Sequence, residues 1–141
     1  MDNLSSDDFG ITLEKACEFQ QRLVNHLLEY KNESGICCVT QEELSKRLCV
    51  SQAWIVKTIR KLHMCDNCIE MVSLGKYVVH HSNLYEYGPI NKVMTLFDRL
   101  KSDSTFELLP MKERAKSLSM SLKELQMSYG YIYTDVGLLH E

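Results

Sequence analysis

The stretch that most constrains this chain is Thr40–Leu62, TQEELSKRLCVSQAWIVKTIRKL. It reads as two short helices separated by three residues. Thr40-Gln41-Glu42-Glu43 is a capping box, in which the threonine hydroxyl accepts from the N3 amide while Glu43 reaches back. Leu44 and Leu48 then share one face. Ser51 caps a second helix from Gln52 to about His63, whose buried stripe is Ile55, Ile59 and Leu62, with Thr58 beside them. Val50 plugs the corner at Cys49-Val50-Ser51. A turn this short crosses the helices at a large angle and projects the second one outward.

The flanking segments extend this pattern. Leu13, Ala16, Cys17, Gln20, Leu23, Val24, Leu27 and Leu28 recur at helical spacing, predicting an amphipathic helix from Thr12, its cap, to about Tyr30. Ile36–Val39 is a short β-type run. Asn67 suits the left-handed turn that ends a helix. Two β-runs follow, Ile69–Leu74 and Tyr77–His81. The Gly75-Lys76 pair between them fits a tight II′ hairpin. Pro89 opens a helix to about Ser102 with the stripe Ile90, Val93, Met94, Phe97 and Leu100. Pro110 opens a last helix to about Tyr129. There Met111, Ala115, Leu118, Leu122, Leu125, Tyr129 and Ile132 are spaced alternately four and three apart, as in an a/d heptad seam. No internal repeat of 20–50 residues is evident.

Leading helix, short strand, helix-turn-helix, hairpin is the winged helix-turn-helix order. Residues 36–81 resemble the bacterial winged-helix transcription regulators, whose pattern runs T-x-E-E-L-A-x-x-L-x-V-S-x-x-x-V-x-x-x-I-x-x-L. Ser45 stands where that pattern has alanine. Asn67 stands where glycine is usual, one residue later than the commonest spacing. The layout is similar to the MarR type, with a leading helix and trailing helices, and the resemblance implies that the terminal helices make a homodimer. The expected fold is therefore mainly α with a small β-hairpin wing. Residues 1–11 are expected to form a flexible acidic N-terminus, 12–88 the winged domain with its leading helix, and 89–141 the C-terminal helices of a dimerisation region.

Charge agrees with a local nucleic-acid surface. The chain of 141 residues has a net charge of −3. Residues 40–80 carry six bases against four acids, while residues 1–39 carry three against seven and residues 81–141 seven against eight. Such a balance argues against a protein that coats nucleic acid indiscriminately but permits a local DNA-binding face. With Ile55, Ile59 and Leu62 inward, Ala53, Val56, Lys57 and Arg60 point outward. Ser51 and Gln52 lie at the helix N-terminus, where recognition helices meet base edges. Glutamine pairs with adenine, Lys57 or Arg60 with guanine, and Ala53 or Val56 meets a thymine methyl. Lys46, Arg47 and Lys61, at the motif's edges, are assigned to phosphates. Lys76, at the wing tip, is placed for a phosphate or the minor groove. Trp54 reads as a packing residue on the helix flank.

The expected function is thus a cytoplasmic, sequence-specific double-stranded DNA-binding regulator, repressor-like, of bacterial or phage origin. It would act as a homodimer on a palindromic site. Two alternatives stand beside it: a plasmid or phage replication or partition protein, and a winged-helix module that binds protein instead of DNA. The seam residues Met111, Ala115, Leu118, Leu122, Leu125 and Tyr129 are either the dimer contact or an intrachain core. Cys65, Cys68, His63 and His80 form a candidate metal group. It has only one Cys-x-x-Cys, however, so buried reduced thiols are the expected reading and no cofactor is assigned. The chain contains no G-x-S-x-G, P-loop, H-E-x-x-H or G-x-G-x-x-G, so no enzyme is expected. No apolar run approaches a membrane span, the N-terminus does not read as a signal peptide, and no effector is indicated.

Overall fold

A computed structural model describes residues 6–135. The expected N-terminal segment lies partly outside them at residues 1–5, as do residues 136–141 of the C-terminal region. The described residues are mainly helical, with six α-helices and a small antiparallel sheet, a winged-helix layout with flanking helices. No described helix is long and apolar enough to cross a membrane. The chain divides into two compact units, one spanning Ala16–Gly88 and the other containing Pro89 onward together with the chain up to Lys15.

Helix α1 spans Ser6–Glu29. It begins six residues before the expected cap at Thr12, so residues 6–11 belong to the helix instead of a flexible arm. Cys17, Leu23, Val24 and Leu27 are buried along it, and so is Gln20. The Asn32 side chain ends the segment by accepting from the amides of Ser34 and Ile36 at 2.9 and 3.0 Å. Strand β1, Cys37–Cys38, follows. Helices α2, Gln41–Leu48, and α3, Gln52–Met64, come next. Asp66 and Asn67 then take positive φ, 65° and 49°, so Asn67 fills the left-handed role expected of it.

The hairpin pairs β2, Ile69–Ser73, with β3, Lys76–Val79, and the sheet order is β1-β3-β2. Its turn is Leu74-Gly75, not Gly75-Lys76. The positive φ of 74° falls on Gly75, the second turn residue, whereas a II′ turn needs it at the first. The register shifts between Met71 and Ser73, where Val72 is the extra residue of a bulge. His80 and His81 donate their amides to the Cys68 carbonyl at 2.8 and 3.3 Å.

The second unit holds α4, Pro89–Ser102, a 3-10 turn at Phe106–Leu108, α5, Met111–Ser117, and α6, Leu122–Gly130. Ile90, Val93, Leu96 and Phe97 are the buried stripe of α4. The single late helix expected from the heptad spacing does not form. The chain breaks at Leu118–Ser121, with Ser119 at φ 57° and Ser121 capping α6. Ser121 and Glu124 make a reciprocal capping box, at 3.0 Å for the Glu124 amide and 2.9 Å for the Ser121 amide. Ala115, Leu118, Leu125 and Ile132 are buried within the protomer, while Leu122 is 36% exposed. Four of the seven seam residues thus lie in the protomer's own core, and the stripe does not run along one continuous helix.

Candidate nucleic-acid interface

The interface is built on α2, its turn and α3. The Thr40 hydroxyl accepts from the Glu43 amide at 3.0 Å, the expected first half of the capping box. Leu44 and Leu48 are buried as expected. At the end of α2, Cys49 takes φ 57° and ψ 44°, the left-handed conformation that most side chains avoid. The Val50 amide then reaches back to the Ser45 carbonyl at 3.1 Å. Ser45 contributes here. Its hydroxyl donates to the Val50 carbonyl at 2.5 Å and ties the turn to the helix before it.

Ser51 starts α3 by accepting from the Trp54 amide at 3.0 Å. Ile55, Thr58, Ile59 and Leu62 are buried. That places Gln52, Ala53, Lys57 and Arg60 on the exposed side, with Val56 half-buried at its margin. Trp54 is half-buried on the flank, in keeping with a packing role. No acid occurs anywhere in Gln52–Met64. The helix thus presents two cations and an amide to solvent without an internal counterion.

The outlying cations differ in their freedom. Lys46 is exposed and lies 3.8 Å from Glu42, a pair of little energetic weight. Arg47 is engaged elsewhere: its guanidinium meets Glu29 at 3.2 Å and lies over the Tyr30 ring at 5.8 Å. Its charge is thus partly matched by α1. Lys61 is half-buried. Lys76 is exposed and follows the Leu74-Gly75 turn, so it stands at the wing tip as expected.

The structure also joins residues that sequence reasoning left apart. A groove of about 280 Å³ runs between α3 and the wing, lined by Gln41, Val56, Ile59, Arg60, His63 and Met71. It puts the start of α2, the outer edge of α3 and strand β2 on one surface. The wing is more apolar than its assignment to DNA implied: Met71, Val72 and Leu74 are exposed, Leu74 by 86%. The alternation of residues 69–74 in the sequence did not show this, because the bulge at Val72 breaks it.

The candidate metal group does not assemble. Cys65 and Cys68 are buried, and the Cys68 thiol donates to the Cys65 carbonyl at 3.4 Å. His63 Nδ1 sits 2.8 Å from Asn67 Oδ1 and 3.2 Å from the Ile69 carbonyl. His80 Nε2 lies 2.8 Å from Glu70 Oε1 across the hairpin. Each group is held by its own neighbours. Among the described residues no cluster of three or more His, Cys, Asp or Glu has a metal-holding arrangement.

No family model, curated protein or solved structure matches this chain.

Proposed function

We propose that residues 16–88 are a sequence-specific double-stranded DNA-binding module, and that the chain is an intracellular transcriptional regulator that represses by occupying its site. One observation carries this reading: α3 exposes Gln52, Ala53, Lys57 and Arg60 on one face and contains no acid. Phosphates repel carboxylates, and base edges are read by amide and cationic donors. A helix that exposes this set beside a hairpin suits the major groove, with Lys76 on the flanking backbone. A homodimer on a palindrome belongs to the same reading, but its contact must come from residues other than the buried Ala115, Leu118 and Leu125.

Selection of bound sequences from random duplexes at about 100 mM salt tests it. A consensus should emerge, and Lys57→Ala or Arg60→Ala should each cost about 1–3 kcal/mol of specific binding without altering the circular dichroism melt. A palindromic consensus supports the dimeric regulator. A tandem direct repeat favours a replication or partition protein. No enrichment favours a protein-binding module and overturns the DNA reading.

A further inference from the structure

The break that removed the heptad helix has the geometry of the α2–α3 turn, seventy residues later. Leu48, Cys49, Val50 and Ser51 correspond in position to Leu118, Ser119, Met120 and Ser121. Cys49 and Ser119 both have φ 57°. The Val50 amide donates to the Ser45 carbonyl at 3.1 Å, and the Met120 amide donates to the Ala115 carbonyl at 2.9 Å, five residues back in each case. The Cys49 amide reaches Lys46 at 3.4 Å and the Ser119 amide reaches Lys116 at 3.1 Å. Ser51 and Ser121 each cap the following helix at 3.0 Å through the amide three residues on.

Most buried positions follow the same offset, the exceptions being Leu44 and Ile59, matched by half-buried Arg114 and Tyr129. Ile55 and Leu125 are fully buried, as are Leu62 and Ile132, and the small hydroxyl residues Thr58 and Ser128 are buried between them. Four identities, Glu43/Glu113, Lys46/Lys116, Leu48/Leu118 and Ser51/Ser121, fall within the matched stretch. Leu44 corresponds to Arg114, whose guanidinium is absorbed by the Leu109 carbonyl, the Glu107 carbonyl and the Tyr129 hydroxyl.

We infer that α5 and α6 form a second helix-turn-helix, with α6 as a second reading helix for double-stranded DNA. Its geometry stands by itself; the choice of DNA as the partner rests on the reading of the first motif. Charge supports that choice. Residues 110–132 carry four bases against two acids, and one of those acids, Glu124, is buried in the capping box. Lys123 and Gln126 are exposed on α6, where Ala53 and Val56 lie on α3. They supply a cationic and an amide donor for base edges, and exposed Lys112 and Lys116 on α5 supply phosphate contacts. One chain then reads two separate blocks of sequence.

The test uses the full chain and 40-bp random duplexes, selected at about 100 mM salt. The wild-type chain should recover two sequence blocks. The double variant Lys123→Ala/Gln126→Ala should lose one block and bind the wild-type consensus roughly tenfold or more weakly. The double variant Lys112→Ala/Lys116→Ala should keep both blocks but lower the slope of log affinity against log salt by about 1.8. All four positions are exposed, so the melts should match wild type; a shifted melt sends the measurement to the charge-swapped Lys123→Glu alone. Unchanged blocks and slope overturn the inference and leave α5–α6 a packing or protein-binding element. So does a change of oligomeric mass in place of DNA affinity, which would make the face a contact between copies of this chain. If Lys57→Ala and Arg60→Ala change no block while the α6 variants do, the α3 reading fails and this one stands. If the wild-type chain enriches nothing, both fail.

Discussion

At Cys49 and at Ser119 the backbone makes the same left-handed step, yet the residues that surround the two steps differ in kind. The first turn is flanked by an apolar knob, Leu44, and followed by a 13-residue helix without acids. The second is flanked by Arg114 and followed by a nine-residue helix that runs into a π-helical turn at Tyr131–Asp135. What they share is the capping serine and the bond from the amide just after the left-handed residue to a carbonyl five residues back. The turn is thus specified by its caps. The core positions can exchange a leucine for an arginine, provided the donors of that arginine are matched.

The largest expected effect separates the buried from the exposed positions of the second motif. Leu125→Glu puts a charge at a fully buried site and should cost several kcal/mol, as should Ile55→Glu in the first motif. Both should lose helical signal on mild heating. Leu122→Glu, at a position 36% exposed, should keep its circular dichroism and its mass in solution. Unfolding or dissociation of Leu122→Glu would restore a continuous seam and break the likeness between the two motifs.

The first motif was legible in the sequence because its signals are local and unopposed. Thr40 and Ser51 are strong caps, Cys49 and Val50 interrupt the apolar spacing, and the outward set on α3 follows from helical period alone. The second motif was hidden by arithmetic. Leu118 and Leu122 are four residues apart, a spacing that reads as one helical turn although the chain between them leaves the helix. Ser119 gives no glycine signal, and the capping box Ser121-x-x-Glu124 lies inside an apolar stripe that masks it. The hairpin is legible in the sequence, but its turn lies one residue earlier than Gly75-Lys76, since the bulge at Val72 depends on pairing that period-two alternation cannot register. The groove between α3 and β2 was out of reach, because it joins residues as distant as Gln41 and Met71.

Removing the caps compares the two turns at smaller cost. Ser51→Ala and Ser121→Ala should each lose about 1 kcal/mol in urea unfolding. The loss at Ser121 should be the larger, because Glu124 is buried and loses the end of the helix that orders it. Equal losses would show that the reciprocal bond from the residue 121 amide to Glu124, which Ser121→Ala keeps, does not depend on the hydroxyl cap.

Glycine substitution should act in the opposite direction. Cys49 and Ser119 carry side chains at φ 57°, a conformation that glycine adopts freely. Cys49→Gly and Ser119→Gly should each stabilise by roughly 0.5–1 kcal/mol, the relief of left-handed strain less the extra chain entropy of glycine. A destabilised Cys49→Gly, with Ser119→Gly stabilised, would mean that the exposed thiol makes a contact worth more than the strain.

The smallest effect is an alkaline one, and it distinguishes the two units by where it begins. Burial pushes the Cys37 thiol in β1 up from its ordinary value. Burial also pushes the Tyr129 hydroxyl in α6 up, against the lowering influence of its hydrogen bond from Arg114. A group whose folded-state value is raised holds its proton longer in the folded state than in the unfolded one. Its contribution is complete below the unfolded value and is lost as pH rises through the folded value. For Cys37 the loss should begin near pH 8.5, and for Tyr129 near pH 10, the ordinary values of the two groups. Cys37→Ala should therefore remove the first part of the alkaline decline in melting temperature, and Tyr129→Phe only the later part. The Tyr129 change should be the slighter, since that ring is half-buried and its hydroxyl accepts from Arg114 at 3.1 Å, which offsets part of the rise. If Tyr129→Phe melts in parallel with wild type from pH 8 to 11, the Arg114 latch holds the phenol and the phenolate equally. The second motif would then lack the alkaline sensitivity that distinguishes it from the first.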